Sequence, residues 1–385
     1  MATILSLPPE LLTYLLSFLP GVDLPRAASV CKQFNESVAV DLVWQKRCNV
    51  EYGVDKLEGW RKPTFRDMYA KILHPYGYLL GLWQPEIGPY GGLVYIEVVY
   101  GSILATLYQP PCDPNVTAPL RKKACFSITL TEDGRTELRC LKGPKGPHKC
   151  VITSVSITAL HFHSYELQAW LEEELGNSEE FLHDHIQELL LMKFMIKSQY
   201  ETVCLYKRIH LPEPMHNVPI QPGLFKGTYG SHGVEVVNLT YQDMQILGTK
   251  VTGDPNVPAC QLSIEADLSE PLRLSLEQQQ TLAILELVDK EDVIVRDQGL
   301  GEEQPFKLPH GVSDRGMNHI QDRIHKTITT CRARYFGTGL IASHGFMNSS
   351  RTPGHLIVFS EDVFGFLWLE LRSLSIYSRV HEKFV

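Results

Sequence analysis

The stretch Ser6–Tyr52, SLPPELLTYLLSFLPGVDLPRAASVCKQFNESVAVDLVWQKRCNVEY, decides the fold of the N-terminal part of the chain. Its first leucines recur at the three- and four-residue spacing of an amphipathic helix. Pro8 and Pro9 fall in the first turn, where a helix tolerates proline. Pro20 and Gly21 then end this first helix.

Two further short helices are predicted in the same stretch. Asp23 is placed to cap the second helix, and Pro25 lies in its first turn. The run Val38–Cys48 predicts a third helix. A unit of this size is marginal as an independent domain, because it cannot bury so much apolar surface alone. Its exposed leucines therefore predict a docking face.

The order of motifs in this stretch resembles the F-box. The motifs are Leu-Pro-x-Glu-Leu-Leu, a Phe-Leu-Pro stop, Asp-Leu-x-x-Ala-x-x-Val-Cys-x-x-Phe and a closing tryptophan. In that family, leucine and proline side chains bind the Skp adaptor, which links the protein to a cullin ubiquitin ligase. The alternative is a helical hairpin that only caps its own domain. The adaptor-binding residues that the resemblance implies are Leu7, Pro8, Leu11, Leu12, Leu15, Leu19, Pro20 and Leu24.

Composition narrows the class of protein. The chain has 385 residues, 44% of them hydrophobic, which suits one small module and one large domain. A formal net charge of −8 argues against a nucleic-acid reader. The apolar N-terminus lacks a positive leading region and is broken by prolines, so we expect a protein of the cytoplasm and nucleus. Nine scattered cysteines then predict free thiols, with metal ligation as the exception.

After the F-box, Thr64 opens a helix with a capping box. From Tyr76 onward, short runs rich in Tyr, Val, Ile and Trp alternate with Gly and Pro, as in β-strands. We therefore predict an α+β protein: a helical F-box followed by an antiparallel β-barrel of ten or more strands with helical insertions. The predicted domains are an F-box over 1–53, a helical linker over 54–75 and a barrel over 76–385, with a helical insert at about 164–200 and a helix plus mobile segment at about 270–326.

Individual strands are predicted from these apolar runs and the turn residues between them. They are Tyr78 to Trp83, Leu93 to Val99, Ile103 to Tyr108, Cys125 to Thr131, Thr136 to Cys140, Val203 to Arg208, Leu224 to Tyr229, Val234 to Tyr241, Ile246 to Thr252, Gln261 to Ala266, Ala333 to Ala342, Leu356 to Phe359, Phe364 to Leu371 and Ser373 to Val380.

A cluster of thiol and imidazole side chains follows the Asp-Gly hairpin, in CLKGPKGPHKC and ALHFH. Such soft ligands, with Gly and Pro turns between them, suit a structural zinc ion held tetrahedrally. The predicted ligands are Cys140, His148, Cys150 and His163, with His161 as the alternative to His163. The competing interpretation is a surface loop with free cysteines and unligated histidines.

Three glycine-rich segments mark a second candidate site: GLFKGTYGSHG, GTKVTGDPN and YFGTGLIASHG. Glycines let another backbone approach closely, and the hydroxyl, imidazole, lysine and carboxylate groups beside them can hydrogen-bond it. A hydrolase would use Ser231 or Ser343 as nucleophile, but neither lies in a G-x-S-x-G elbow. A barrel that binds a small apolar ligand is the other alternative.

Together with GLWQPEIGPYGGL, KGPH, IQELLLMKF and FGFLWLELRSLSIYSRV, these segments resemble one family of F-box substrate receptors over nearly the whole chain. The resemblance implies a β-barrel receptor that recognises the C-terminal ends of its substrates, D-type cyclins among them, without catalysing a reaction. It also implies a zinc site whose first cysteine and histidine are Cys140 and His148.

The resemblance extends more loosely to a peptide site. A chain terminus needs donors for its last carbonyl oxygens and an acceptor for its last amide. Asp254 matters most, because a carboxylate repels a free C-terminal carboxylate and accepts hydrogen bonds from a neutral amide. The substrate-binding candidates are Tyr229, Ser231, His232, Lys250, Thr252, Asp254, Asn256 and Tyr335.

Overall fold

The fold is that of a computed structural model, in which short N-terminal helices precede a chain of antiparallel strands. This order confirms the predicted α+β class. The described residues are 4–60, 64–111, 115–141, 147–152, 156–159, 203–282, 285, 303–312 and 328–384. They separate into two compact units: 1–82 with 95–106 and 124–162, and 83–94 with 107–123 and 163–385.

The N-terminal module contains one helix more than predicted. The second predicted helix is divided, because Cys31 has an extended backbone with φ −159°. The Ser29 hydroxyl donates a hydrogen bond to the Arg26 carbonyl, which competes with continuation of the helix. Asp23 stands at the predicted cap position, but its carboxylate accepts a hydrogen bond from Arg26 rather than from a backbone amide. The helices are α1 (Pro9–Leu16), α2 (Leu24–Ala28), α3 (Lys32–Val38) and α4 (Asp41–Tyr52), after a 3₁₀ turn (Ile4–Ser6).

Helix α4 completes the core of this module. Its Trp44 ring is buried, and the indole N–H donates to the carbonyl of Val38 at 2.8 Å. Leu12 and Leu24 of the same module are also fully buried. Gly53, with φ +72°, ends α4 in the left-handed conformation that favours glycine.

Thr64 caps the first helix of the linker, as predicted, although only half of the capping box forms. The Thr64 hydroxyl accepts a hydrogen bond from the backbone N–H of Asp67 at 3.1 Å. The predicted linker ends at residue 75, whereas in the structure the helix widens to a π-helical turn and helical structure continues to Leu79. The elements are α5 (Phe65–Met68), a π-helix (Tyr69–Leu73), α6 (His74–Tyr76) and a 3₁₀ turn (Gly77–Leu79), the last of which replaces the predicted start of the first strand.

The strands form two closed antiparallel barrels rather than the single barrel predicted. Alternation identifies strands but does not show which strand closes the sheet, and a closed sheet of eight strands already fills its interior with side chains. The first barrel follows chain order: β1 (Gly81–Pro85), β2 (Leu93–Val99), β3 (Ser102–Gln109), β4 (Arg121–Leu130), β5 (Thr136–Cys140), β6 (His148–Ile152), β7 (Ser156–Ala159) and β8 (Val203–Ile209).

The second barrel lies wholly within the second compact unit. It has the order β10-β11-β12-β15-β16-β17-β18-β9, while β13 and β14 form a separate two-stranded sheet. The strands are β9 (Gly223–Thr228), β10 (Val234–Gln242), β11 (Gln245–Lys250), β12 (Leu262–Pro271), β13 (Gln304–Pro305), β14 (Thr330–Cys331), β15 (Ala333–Ser343), β16 (Met347–Val358), β17 (Val363–Trp368) and β18 (Ser373–Arg379).

Aromatic rings fill the interior of the second barrel. A Cβ atom at Gly339 would lie 2.0 Å from the Trp368 ring, and one at Gly227 would lie 2.1 Å from the Tyr377 ring. These glycines therefore create the room that the rings occupy. Phe364 stacks on Tyr377 with ring centroids 4.4 Å apart.

Two predicted features lie outside the described residues: the helical insert at about 164–200, and most of the segment at about 270–326. In the part of the chain that the structure describes, no helix has the length and apolar character needed to cross a membrane.

Candidate functional site

A buried lysine lies at the end of β11 in the second barrel. Lys250 shares strand parity with Ile246 and Gly248, so its side chain points into the barrel, where it is 1% exposed. Its Nζ atom lies 2.7 Å from Oδ2 of Asp254 and 2.7 Å from Oε2 of Glu235. One ammonium thus contacts two buried carboxyl groups, and we call these three residues the Lys250 cluster.

The turn after β11 is built around the carboxylate of Asp254. Its Oδ1 atom accepts hydrogen bonds from the backbone N–H groups of Asn256, at 2.6 Å, and Val257, at 3.0 Å. Asp followed by Pro is typical of such a turn, because the side chain satisfies the amides two and three residues on. Lys250 Nζ closes the turn by donating to the Val257 carbonyl at 3.2 Å.

The three side chains of the Lys250 cluster shift one another's pKa values. Burial raises the pKa of Glu235 well above its ordinary value, and Asp254 raises it further against the effect of Lys250. Burial acts to raise the pKa of Asp254 as well, but Lys250 and a hydrogen bond with Glu235 lower it to about 2. Burial acts to lower the pKa of Lys250, yet the two carboxyl groups raise it overall. Glu235 is therefore the group that holds a proton, which leaves one ammonium facing one carboxylate.

Aromatic side chains enclose the cluster. Lys250 Nζ lies 4.1 Å from the centroid of the Tyr229 ring, a cation–π distance. The Tyr229 ring meets Tyr377 edge to face at 5.9 Å, and its hydroxyl lies 3.4 Å from Oγ of Ser263. The ammonium is therefore held by charge, by hydrogen bonds and by a ring face.

Two further loops meet the Asp254 turn. The N–H of Gly253 donates to the Tyr90 carbonyl at 3.0 Å, and a Cβ atom at Gly253 would lie 2.2 Å from the backbone nitrogen of Ala259. The N–H of Gly345, at the tip of the β15–β16 hairpin, donates to the Pro255 carbonyl at 2.9 Å. The glycine-rich segments predicted from the sequence thus converge at one end of this barrel.

His232 forms part of the rim of this site. It is partly exposed, and its Nε2 atom lies 3.8 Å from Oδ1 of Asp254. Burial lowers the pKa of His232, as do Lys250 and His344, against the effect of Asp254. A neutral imidazole able to donate or accept a hydrogen bond therefore stands beside the turn.

The structure brings together most of the predicted substrate-binding residues. Tyr229, His232, Lys250 and Asp254 surround one point. Thr252 and Asn256 lie on the same turn, where Thr252 Oγ1 accepts from the N–H of Val236 at 2.8 Å and Asn256 is partly exposed. The backbone of Ser231 lies in a 3₁₀ turn (Gly230–His232), but its side chain is outside the described part.

Tyr335 is not at this site. It pairs with Pro271 at one end of β12, whereas Ser263, beside Tyr229, lies at the other end of the same strand. Its own segment, YFGTGLIASHG, reaches the site only at its far end, through Gly345. Consecutive strand residues rise about 3.3 Å each, so the start of β15 is far from its end.

Sequence reasoning missed Glu235, although a signal was present. In Val-Glu-Val-Val the glutamate has the strand parity of Val237 and Leu239, which are buried in the barrel core. A charged residue at a core position indicates a buried partner. Tyr90 was also missed; burial and Asp254 raise its pKa to about 12.

The adaptor-binding candidates divide into two groups. Leu11 and Leu15 are 51% and 46% exposed on α1, whereas Leu12 and Leu24 are fully buried and hold the module together. Pro8 and Pro20 are exposed, and Leu7 and Leu19 are half-buried. Tyr14 and Phe18, which were not predicted, extend the exposed face.

Three of the four predicted zinc ligands lie in described strands. Cys140 in β5 is directly opposite His148 in β6, and Cys150 follows two residues later on the same face of the strand. Burial and Cys140 raise the pKa of the Cys150 thiol to about 11. His163 and the alternative His161 lie outside the described residues, within which no three metal-binding side chains converge.

Comparisons with known proteins give the family. Residues 4–50 match the F-box-like model, and residues 206–383, which include the second barrel, match the model described as Cyclin D1 binding domain. F-box only protein 31 of Rattus norvegicus is 41% identical over 443 residues, covering 99% of this chain and 85% of the relative. The Homo sapiens protein of that name is 40% identical (99% and 84% covered), and F-box only protein 31-B of Xenopus laevis is 37% identical (99% and 84%).

An F-box module with exposed leucines and a separate recognition barrel define a substrate receptor of a Skp-cullin-F-box ubiquitin ligase. Such receptors bring a target to the ligase. The chain belongs to the F-box only protein 31 family.

Proposed function

We propose that the receptor recognises the ends of substrate chains at the Asp254 turn, with D-type cyclins among its substrates. One observation carries this proposal: the glycine-rich segments and the Lys250 cluster meet at one end of the barrel that matches the cyclin D1 binding model. Close-approach glycines beside the partly exposed polar groups of His232 and Asn256 suit an extended peptide backbone.

The cluster and the rim have different roles in this proposal. Lys250 and Asp254 are buried and already bonded to the turn, so they fix its shape. His232 and Asn256 are partly exposed and offer donors and acceptors to a bound peptide. The peptide end therefore contacts the rim, above a turn whose geometry the buried charges hold.

The charge of the cluster favours a neutral chain end. The ammonium of Lys250 is matched by the Asp254 carboxylate, and Glu235 lies on its other side, so no free positive charge remains to attract a terminal carboxylate. A C-terminal amide carries no charge and can donate two hydrogen bonds. We expect peptides with amidated ends to bind more tightly than the same peptides with free carboxylates.

Binding of the full chain, complexed with the Skp adaptor, to peptides with the last residues of D-type cyclins tests this. Each peptide is made with a free and with an amidated end. We expect Asp254→Asn to weaken binding and to reduce the difference between the two ends, because Lys250 then carries an unmatched charge. Asp243→Asn is the matched control: Asp243 is exposed in the β10–β11 turn with φ +52°, which asparagine tolerates.

Equal binding of both peptide ends, or of peptides lacking the natural end, would refute recognition of chain ends. Family membership would be unaffected, and the search would move to other surfaces of the barrel.

We also propose that Cys140, His148 and Cys150, with His163, hold a structural zinc ion. The pairing of Cys140 with His148 across β5 and β6 supports this, since thiolate and imidazole ligands opposite each other suit a tetrahedral ion. Zinc would pin the β5–β6 connection. Metal analysis of the purified protein checks it: one zinc per chain is expected, lost in Cys140→Ser, and a metal-free wild type would refute the site.

We further propose that the receptor catalyses no reaction of its own. Burial raises the pKa of the Cys331 thiol to about 11 and of Cys48 to about 12, so these thiols are poor nucleophiles at neutral pH. The ring-filled interior of the second barrel also disfavours the small-ligand alternative. Labelling by a serine- or thiol-reactive activity probe would contradict this proposal if it were abolished by replacing one residue, such as Ser231, Ser343 or a cysteine, with alanine.

A further inference from the structure

Two large aromatic side chains, one on α1 and one in the turn directly after it, are exposed yet held in a fixed arrangement. Tyr14 and Phe18 are 58% and 55% exposed, one helical turn apart, and their rings meet edge to face at 5.0 Å with an interplanar angle of 87°. Leu11, Tyr14 and Leu15 lie on one face of α1, and Phe18, in the turn after the helix, continues that face at the i+7 position. The aromatic pair therefore continues the exposed leucine face of the F-box module.

A lysine from α4 orders this pair. The Nζ atom of Lys46 lies 3.4 Å from the centroid of the Phe18 ring and 4.8 Å from that of Tyr14. It also donates a hydrogen bond to Oγ of Ser17 at 3.0 Å, and that hydroxyl donates to the Tyr14 carbonyl at 2.6 Å. Ser17 is buried, so the ammonium is anchored to the backbone of α1 as well as to both rings.

The position of Lys46 is itself fixed. Its neighbours on α4, Trp44, Arg47 and Cys48, are buried in the core of the module. The ammonium therefore holds the two rings in a fixed position relative to α4. Ordering a side chain before binding reduces the conformational entropy that binding would otherwise remove.

We propose that Lys46 is a positioning residue for adaptor binding, which holds Tyr14 and Phe18 in the orientation that the Skp adaptor contacts. The inference rests on the F-box match over residues 4–50 and not on the proposed recognition of chain ends. It also means that neutralising this lysine, for example by acetylation, weakens assembly of the ligase without touching a leucine of the docking face.

The test is a double-mutant cycle on the affinity of the full chain for the Skp adaptor. Lys46→Met removes the ammonium, and we expect it to raise Kd by about two- to five-fold, the range for a partly exposed cation–π contact. Lys46→Arg keeps a cation that stacks on rings and should stay within about two-fold of wild type. In a Phe18→Leu background, most of the effect of Lys46→Met should disappear.

The matched control is Lys32→Met, which removes the same charge from the same module. Lys32 is exposed and pairs only loosely, at 3.8 Å, with Glu36, so its replacement should leave Kd unchanged. Thermal unfolding of the unbound variants separates affinity from folding, and Lys46→Gln provides a second uncharged variant if Lys46→Met folds poorly.

Two results would overturn the proposal. One is a Kd for Lys46→Met equal to that of Lys32→Met. The other is a loss of affinity that persists undiminished in the Phe18→Leu background, which would show that the lysine acts without the ring.

Discussion

The F-box module and the second barrel place apolar and charged side chains in opposite ways. Leu11 and Leu15 on α1, and Phe18 in the turn after it, face solvent. In the second barrel, the interior is apolar throughout its core cluster, yet its end encloses Lys250 and its two carboxyl partners. The F-box module exposes apolar side chains, which proteins usually bury. The second barrel buries charged side chains, which proteins usually expose.

This difference separates two kinds of recognition. An exposed apolar face binds through the area it removes from water, and its residues contribute little to the stability of the unbound module. A buried charge cluster gives a defined geometry, but removing one partner leaves an uncompensated charge inside the protein. Mutations in the two regions should therefore have different effects. Those on the exposed face of the F-box module should weaken adaptor binding, and those in the Lys250 cluster should lower stability.

The largest effect is expected at Lys250. Lys250→Met leaves the Asp254 carboxylate buried without its cation, which should lower the free energy of unfolding by about 3–5 kcal/mol. Urea denaturation measures this, with the exposed Lys383→Met as control. Adding Asp254→Asn to Lys250→Met should recover part of the loss; a Lys250→Met protein as stable as wild type would show that the cluster has no structural role.

A matched pair on α1 tests the other side of the comparison. Leu12→Ala should lower the free energy of unfolding by about 2–5 kcal/mol, because Leu12 is fully buried. Leu11→Ala, one residue earlier and 51% exposed, should leave stability within about 0.5 kcal/mol of wild type while weakening adaptor binding. Leu11→Asp and Leu15→Asp should abolish that binding, since each places an unpaired charge in an apolar interface.

If Leu11→Ala destabilised the unbound protein as much as Leu12→Ala, the exposed face would belong to the core of the module rather than to a docking surface.

The sequence predicted the bounds of some strands fully and those of others only in part. The strands Leu93–Val99 and Thr136–Cys140 have the predicted bounds because each is a short run of strand-forming residues that glycine-containing turns border. Strand β16 begins at Met347 rather than at the predicted Leu356, since its first half is polar and is held as a strand by pairing with β15. Local patterns therefore define strands that turn residues border, and long-range pairing defines the rest.

The site was predictable where its residues share one turn. Lys250 and Asp254 are four residues apart, so their proximity is a local property. Glu235 comes from another strand, and only the register of β10 against β11 places it beside Lys250. Tyr335 was predicted at the site because it belongs to a glycine-rich segment. That membership does not tell which end of a long strand reaches the site.

The glycines of the second barrel allow a sharper test of how tightly its interior is filled. Gly339→Ala would place a Cβ atom 2.0 Å from the Trp368 ring, and such overpacking should lower the free energy of unfolding by about 1–3 kcal/mol. Combining it with Trp368→Leu, which removes the ring, should give less than the sum of the two single effects in urea denaturation. Strict additivity would mean that the ring and the glycine are not in contact.

The smallest effect concerns a buried imidazole on the outer side of the second barrel. Burial, together with Arg334, lowers the pKa of His355 well below its ordinary value. As pH falls below about 6.5, the unfolded chain takes up a proton at this residue and the folded protein does not, so stability falls by at most about 1.4 kcal/mol per pH unit. His355→Gln removes this proton uptake and should flatten the decline between about pH 6.5 and 5.5.

Other titrating groups cancel in this comparison. Glu235, whose raised pKa favours the folded state at low pH, and His232, whose lowered pKa does the opposite, are common to both proteins. The difference between the two pH profiles, measured by urea denaturation, therefore reports His355 alone. Parallel profiles would show that its imidazole takes up a proton in the folded protein as readily as in the unfolded chain.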